Sequence, residues 1–304
     1  MTEGSLKNMN PPGTWEAGTP PTIKVKKDPL VPVTRTSYLP ERDADKTPIL
    51  ECIDLGITFG GLKAVDNFNV AIGRTEIAGL IGPNGAGKTT IFNLLTKVYQ
   101  PTHGTILLDG KDIATMSTAQ VNRAGIARTF QNIRLFHNQT VLDNVLIGLH
   151  NEMDYGMGGA ILRLPGYWRA ERIAKERAME YLSLFHLDQH AMDLAGSLPY
   201  GAQRRLEIAR ALATNPSLLL LDEPAAGMNP SETAELMENI VKIRDTFHIA
   251  ILLIEHDMSL VMNICEGIVV LNFGRIICKG TPDDIRSNPA VIEAYLGRKG
   301  AKKL

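Results

Sequence analysis

The sequence predicts an α/β fold: a mostly parallel sheet with an N-terminal antiparallel β subdomain and an inserted helical subdomain. Three observations predict it. An apolar run, Glu76–Ile81, passes through a glycine-rich turn at 82–89 into the helical stretch Thr90–Thr96. After residue 217 strand and helix patterns alternate, as parallel β-α-β units do. From about 140 to 214 the pattern becomes helical.

Taken in order, residues 1–48 differ from the rest. They hold eight of the chain's 17 prolines and few large apolar residues between them. Such a segment buries too little surface to offset the entropy of ordering, so it reads as an extended or disordered Pro-rich extension. Its Lys24, Lys26 and Lys27 read as a solvated cluster in preference to a membrane-binding one. The folded part, residues 49–304, begins with Ile49–Phe59 and Ala64–Ile72. Both alternate like antiparallel strands around a turn at Gly60-Gly61. The strand at 76–81 and its helix follow, then a strand at Thr105–Leu108 ended by Asp109-Gly110. The helical subdomain spans about 132–214. It contains Val141–Leu149 and the long amphipathic stretch Tyr167–Leu187, separated by a loop marked by Gly156, Gly158, Gly159 and Pro165-Gly166. Beyond it come Ser217–Asp222 (strand), Glu232–Arg244 (helix), Ile249–Glu255 (strand) and Met258–Ile264 (helix). A closing hairpin joins Gly267–Leu271 to Arg275–Cys278 through a turn at Asn272–Gly274.

Composition narrows the function classes. The 304 residues are 44% apolar and 21% charged, an ordinary balance for a chain with a sizeable core. A formal net charge of −1 gives no global reason to bind nucleic acid. Cys52, Cys265 and Cys278 have no CxxC spacing and suit a reducing compartment better than a disulfide or zinc framework. No run of about 18 apolar residues is present to cross a bilayer. The N-terminus has neither the basic start nor the apolar core of a signal peptide. Work at a membrane would therefore go through a partner.

The turn at 82–89 reads Gly82-Pro83-Asn84-Gly85-Ala86-Gly87-Lys88-Thr89, a complete phosphate-binding loop in the strand–loop–helix setting that the motif requires. Its glycines let backbone N–H groups turn inward, and the helix adds its positive dipole end. Lys88 can reach the β- and γ-phosphates, and the Thr89 hydroxyl can ligate Mg²⁺, with Thr90 following in the first turn. The chain is expected to bind a nucleoside triphosphate. Four leucines, Leu218–Leu221, run into Asp222-Glu223. An unbroken apolar run marks a central parallel strand, and its carboxyl end is where ligands bind in such sheets. Asp222 can complete the Mg²⁺ shell and Glu223 can act as general base toward the attacking water.

Upstream lies Leu198-Pro199-Tyr200-Gly201-Ala202-Gln203, leading into Arg204-Arg-Leu-Glu-Ile-Ala-Arg-Ala-Leu212. Here the chain resembles an ATP-binding cassette (ABC) ATPase. The elements stand in that family's order: Phe59, the phosphate loop, Gln131 in Arg128-Thr-Phe-Gln131, the signature at 198–203, Asp222/Glu223, and His256 in Ile254-Glu-His-Asp257. Singly, Phe59 could be a hairpin core aromatic, Gln131 a polar strand end, and His256 a neighbour of a helix cap. Jointly, the resemblance implies that Phe59 stacks on adenine and that residues 82–90 hold ATP. It implies Mg²⁺ ligation by Thr89, Gln131 and Asp222, and catalytic roles for Glu223, Gln131 and His256. It also implies that the signature closes over the ATP of a second cassette packed head to tail. Three positions, in two motifs, depart from the family pattern. Pro199 and Tyr200 replace the signature's serine and first glycine, and Asn229 replaces the usual aspartate of Ala226-Gly-Met-Asn229. Proline can start a helix but offers no hydroxyl or N–H, so the ATP site that uses this signature is expected to be the weaker one.

Several longer strings resemble the larger ATP-binding subunit of bacterial branched-chain amino acid importers. They include Arg128–Phe136, Tyr200–Arg210, Asp222–Pro230, Leu252–Met258 and the ending Ala294-Tyr-Leu-Gly297. That resemblance implies a second ATPase subunit, two integral membrane permease subunits, an indirect periplasmic binding protein, and a place on the cytoplasmic face of the inner membrane. The alternatives are an ATPase of a lipopolysaccharide-type exporter and a soluble non-transport ABC ATPase. The latter usually carries two cassettes or a long coiled coil, and this chain has one cassette and no heptads.

Overall fold

The computed structural model describes residues 47–150 and 165–300. The extension (apart from Thr47 and the buried Pro48) and the glycines at 156–159 lie outside the described residues. Two sheets organise the chain. One has four antiparallel strands in the order β2-β1-β4-β5: β1 (Leu50–Phe59), β2 (Leu62–Ile72), β4 (His103–Leu108) and β5 (Lys111–Asp112). The other has six strands in the order β10-β9-β3-β8-β7-β6. These are β3 (Ile77–Ile81), β6 (Ile126–Arg128), β7 (Leu218–Asp222), β8 (Ala250–Ile254), β9 (Gly267–Asn272) and β10 (Arg275–Gly280). Five of the six run parallel and β10 pairs antiparallel with β9.

Local sequence explains the turns. Gly60 and Gly61 both have positive φ, 51° and 91°, with Phe59 paired to Leu62 across them. A two-residue hairpin turn of this kind needs two left-handed residues, which glycine supplies without strain. The closing hairpin uses Phe273-Gly274 in the same way, with φ 46° and 76°.

Nine α-helices are described. Those around the phosphate loop and the first sheet are α1 (Lys88–Leu95) and α2 (Thr118–Ala124). The helical subdomain contains α3 (Val141–Leu149), α4 (Pro165–Leu184) and α5 (Tyr200–Leu212). Then come α6 (Pro230–Phe247), α7 (Met258–Ile264), α8 (Pro282–Ser287) and α9 (Pro289–Gly300). Pro165 and Gly166, expected in a loop, open α4 instead; proline is tolerated in a first turn, where its missing N–H would have had no partner.

Strands β3, β7 and β8 are buried along their whole length. Their side chains alternate between two cores, as a pleated strand requires. Leu219, Leu221, Ile251 and Leu253 face the core built by α3 to α7. Leu218, Leu220, Ala250 and Leu252 face the core shared with α1 and the antiparallel sheet. At about 1.5–3 kcal/mol per fully buried aliphatic side chain, this double burial fixes the central strands firmly. Register then places the site: Asp222 pairs with Ile254, which in turn pairs with Leu80, and Arg128 lies opposite Leu220. The carboxyl ends of four parallel strands thus deliver their following loops to one edge.

Candidate active site

The phosphate loop leaves β3 at Gly82, whose φ is 151° and where a Cβ would fall 2.2 Å from the Leu271 carbonyl oxygen. Gly87, at φ 105°, would bring a Cβ 2.9 Å from the Ala64 carbonyl oxygen. Both positions therefore demand glycine on conformation and on space. Gly87 is also the N-cap of α1 and offers no side chain to its first-turn N–H groups. Those donors and the dipole end are what an anionic phosphate group requires. Ala86 is buried and donates its N–H to the Pro83 carbonyl; Asn84 and Thr89 are exposed and Thr90 half-buried. The Lys88 ammonium, largely buried, donates to the Gly82 carbonyl at 2.6 Å and the Pro83 carbonyl at 3.2 Å. Burial pushes its pKa down, and Glu223 and Asp222 counter that shift.

Asp222 ends β7 as expected, with a partner that sequence reasoning missed. Its carboxylate is ion-paired to the Arg128 guanidinium at 2.7 Å, both side chains being nearly inaccessible. Arg128 also donates to Asn93 at 2.7 Å and lies over the rings of Phe92 and Phe130. Arg128 takes one carboxylate oxygen, Oδ2. The other oxygen of Asp222, the Thr89 hydroxyl and the Gln131 amide oxygen are hard donors of the type that Mg²⁺ prefers, so the residues fit that ion.

Glu223 adopts φ 47°, a left-handed backbone uncommon for a residue with a side chain. Strain of this sort gathers at functional sites. Its N–H donates to the Ile254 carbonyl at 2.9 Å. Its carboxylate Oε2 accepts a hydrogen bond from Gln131 Nε2 at 2.7 Å, and His256 Nδ1 lies 3.8 Å from the same oxygen. The three residues expected to act together thus meet on one carboxylate oxygen. Asp257 caps α7 through the N–H groups of Ser259 and Leu260, so His256 is both a cap neighbour and a contact of Glu223. Beside them the buried Glu255 carboxylate accepts from the N–H groups of Ala225 at 2.8 Å and His256 at 3.1 Å. Burial raises its pKa, and those N–H groups oppose the rise. Phe59 is 44% exposed and meets the Tyr99 ring edge-on at 5.3 Å, leaving ring surface open at the end of β1.

In the signature, Leu198 and Ala202 are buried and Tyr200 is exposed. Pro199 is the N-cap of α5, so the helix starts at Tyr200, one position after the start that the sequence suggested, and it provides no side-chain cap. Gln203 folds back, donating to the Leu198 carbonyl at 2.8 Å. Gly201 faces Glu232, whose Oε1, the movable end of its side chain, would lie 2.7 Å from a Cβ there. Asn229 caps α6, accepting from Ser231 and Glu232 N–H at 3.0 Å each, while Glu232 returns a bond to the Asn229 N–H. Asparagine caps as well as aspartate, which is why the missing charge leaves the helix intact.

The family described as ABC transporter matches residues 65–226, and the family described as branched-chain amino acid ATP-binding cassette transporter matches residues 275–301. The chain belongs to the ABC transporter family and is an ATP-binding cassette, an ATPase. It is 49% identical over 250 residues to the high-affinity branched-chain amino acid transport ATP-binding protein LivG of Escherichia coli K12, covering 82% of this chain and 98% of that one. It is 48% identical, with the same coverage, to the corresponding protein BraF of Pseudomonas aeruginosa. Among solved structures, the ADP conformation of an ATP-binding cassette of an ABC transporter is 30% identical, with a TM-score of 0.72 over 83% of this chain and 100% of that one.

Proposed function

We propose that this chain is the ATP-hydrolysing subunit of a membrane importer for branched-chain or related amino acids. The observation that carries the reading is 48–49% identity across 98% of two relatives named for branched-chain amino acid transport. The match at 275–301 favours it over an exporter or a soluble ATPase.

In this reading residues 82–90 and Lys88 bind the phosphates and Phe59 stacks on adenine. Lys88 exchanges its loop carbonyls for phosphate oxygens, a stronger charge-assisted pairing. Mg²⁺, held by Thr89, Gln131 and Asp222, would neutralise phosphate charge. Glu223 takes the proton of the attacking water, Gln131 holds its carboxylate in place, and His256 beside it positions the water. The signature of a second cassette supplies the donors that one chain lacks around the γ-phosphate. Two permease subunits and, beyond them, a periplasmic binding protein complete the assembly, with this chain peripheral on the cytoplasmic face. Among the described residues no helix is long and apolar enough to cross a membrane. A groove of about 380 Å³ beside the Gln131 segment suits a permease contact; Phe130, Arg134, Phe136, Ile147 and Arg210 line it. Phe136 and Ile147 are half-exposed apolar side chains there, the type of surface that marks an interface.

Glu223→Gln is expected to keep ATP binding and slow steady-state hydrolysis by about 10²–10⁴-fold, the usual scale for a general base. Wild-type turnover in that variant would remove Glu223 from the role.

A further inference from the structure

Arg204 is the largest fully buried side chain among the described residues, at 0% exposure, although it lies on α5 just after the signature. Its guanidinium donates to three backbone carbonyls from two distant segments: Phe130 at 2.6 Å, Gln131 at 3.0 Å and Glu223 at 3.0 Å. One turn along the same helix, Glu207 is also buried and pairs with Arg204 at 2.9 Å. The other Glu207 oxygen accepts the N–H groups of Phe130, at 3.4 Å, and Arg134, at 3.1 Å. One face of α5 thus grips the 130–134 segment through carbonyls and N–H groups together, and the backbone of Glu223 by its carbonyl.

A buried ion pair is a poor way to gain stability, because desolvating both charges offsets most of their attraction; apolar replacements of similar volume are often neutral or stabilising. What this pair does supply is geometry. The side chains of Gln131 and Glu223 meet at 2.7 Å, and the carbonyls of the same two residues share one guanidinium. The Arg204 fork has fixed donor directions, so it sets the separation of those two backbones. We propose that Arg204, oriented by Glu207, is a positioning residue that sets the Gln131–Glu223 contact and ties it to the signature helix. A shift of α5, whose first residue follows Pro199, then moves the contact around the general base. This inference rests on the site reading above.

The test compares the full chain, co-purified with its own subunits, as wild type, Arg204→Lys and the paired change Arg204→Met with Glu207→Leu. Lysine keeps the charge but cannot span three carbonyls in the fork geometry. The paired change conserves apolar volume and leaves no unpaired charge. For both, the expected result is an ATP KM within about threefold of wild type and a kcat lower by about tenfold or more, given that misplacing reacting groups by 1 Å can cost 10²-fold. Adding Gln131→Ala to either variant should slow turnover by less than the product of the separate effects, because both act through one contact. A merely structural role would make the effects multiply. Unchanged kcat, multiplicative effects, or an unfolded product from the volume-conserving pair would overturn the proposal. Glu223→Gln run alongside separates the two readings. Wild-type hydrolysis there sinks the site assignment; slowed hydrolysis there with wild-type kcat in the Arg204 variants sinks the positioning role alone.

Discussion

At the scale of single residues, Lys88 carries the most direct consequence. Its ammonium sits between two loop carbonyls at the base of the phosphate loop. A hydrogen bond to a charged group contributes about 1.5–3 kcal/mol. Lys88→Ala should therefore weaken ATP binding by at least about tenfold, measurable by nucleotide titration; unchanged affinity would remove the loop from its role. Lys88 and Glu223 were singled out from the chemistry of their motifs, Gln131 and His256 only through the family resemblance. Arg128, Arg204, Glu207 and Glu255 were not singled out. Their partners stand 94, 74, 73 and 30 residues away, so only the folded chain shows what each one holds.

At the scale of elements, the start of α5 is the informative place. Pro199 leaves the helix without a side-chain cap. A serine at an N-cap contributes about 0.5–2 kcal/mol through its bond to a first-turn N–H. In the assembled complex, Pro199→Ser should raise both thermal stability and the hydrolysis rate, since the hydroxyl also restores a phosphate contact. An unchanged rate would contradict the idea that this signature serves the weaker ATP site. Elements with strong patterns could be read in advance: β7 and β8 from unbroken apolar runs, and the first hairpin from Gly60-Gly61. Strands β5 and β6 escaped notice because two or three residues carry no periodicity. The short helices α2 and α8 announce themselves only by the capping boxes Ser117/Gln120 and Thr281/Asp284. Pro165-Gly166 misled in the other direction, since proline reads as a breaker unless the helix starts there.

At the scale of the whole molecule, the arrangement follows from two-sided burial of one parallel sheet. Its carboxyl edge collects the phosphate loop, Gln131, Asp222/Glu223 and His256 from four strands. Pro48 and Ile49 are buried, so the described fold already has a core at its first strand. Removing residues 1–46 should leave ATP hydrolysis and thermal stability unchanged; loss of either would show that the extension belongs to the folded unit. The fold class was legible because strand–loop–helix order and apolar continuity are properties of the chain itself. The substrate was not legible in any residue, since no residue of an ATP-binding subunit needs to touch the cargo; only the resemblance points to one.

In the proposed role, hydrolysis at Glu223 drives uptake of branched-chain amino acids. Uptake of labelled leucine, isoleucine and valine in cells of the parent organism lacking this chain tests it most directly. Uptake should fall, return with the wild-type chain, and fail to return with Glu223→Gln. Full uptake without the chain, or restoration by Glu223→Gln, would contradict it.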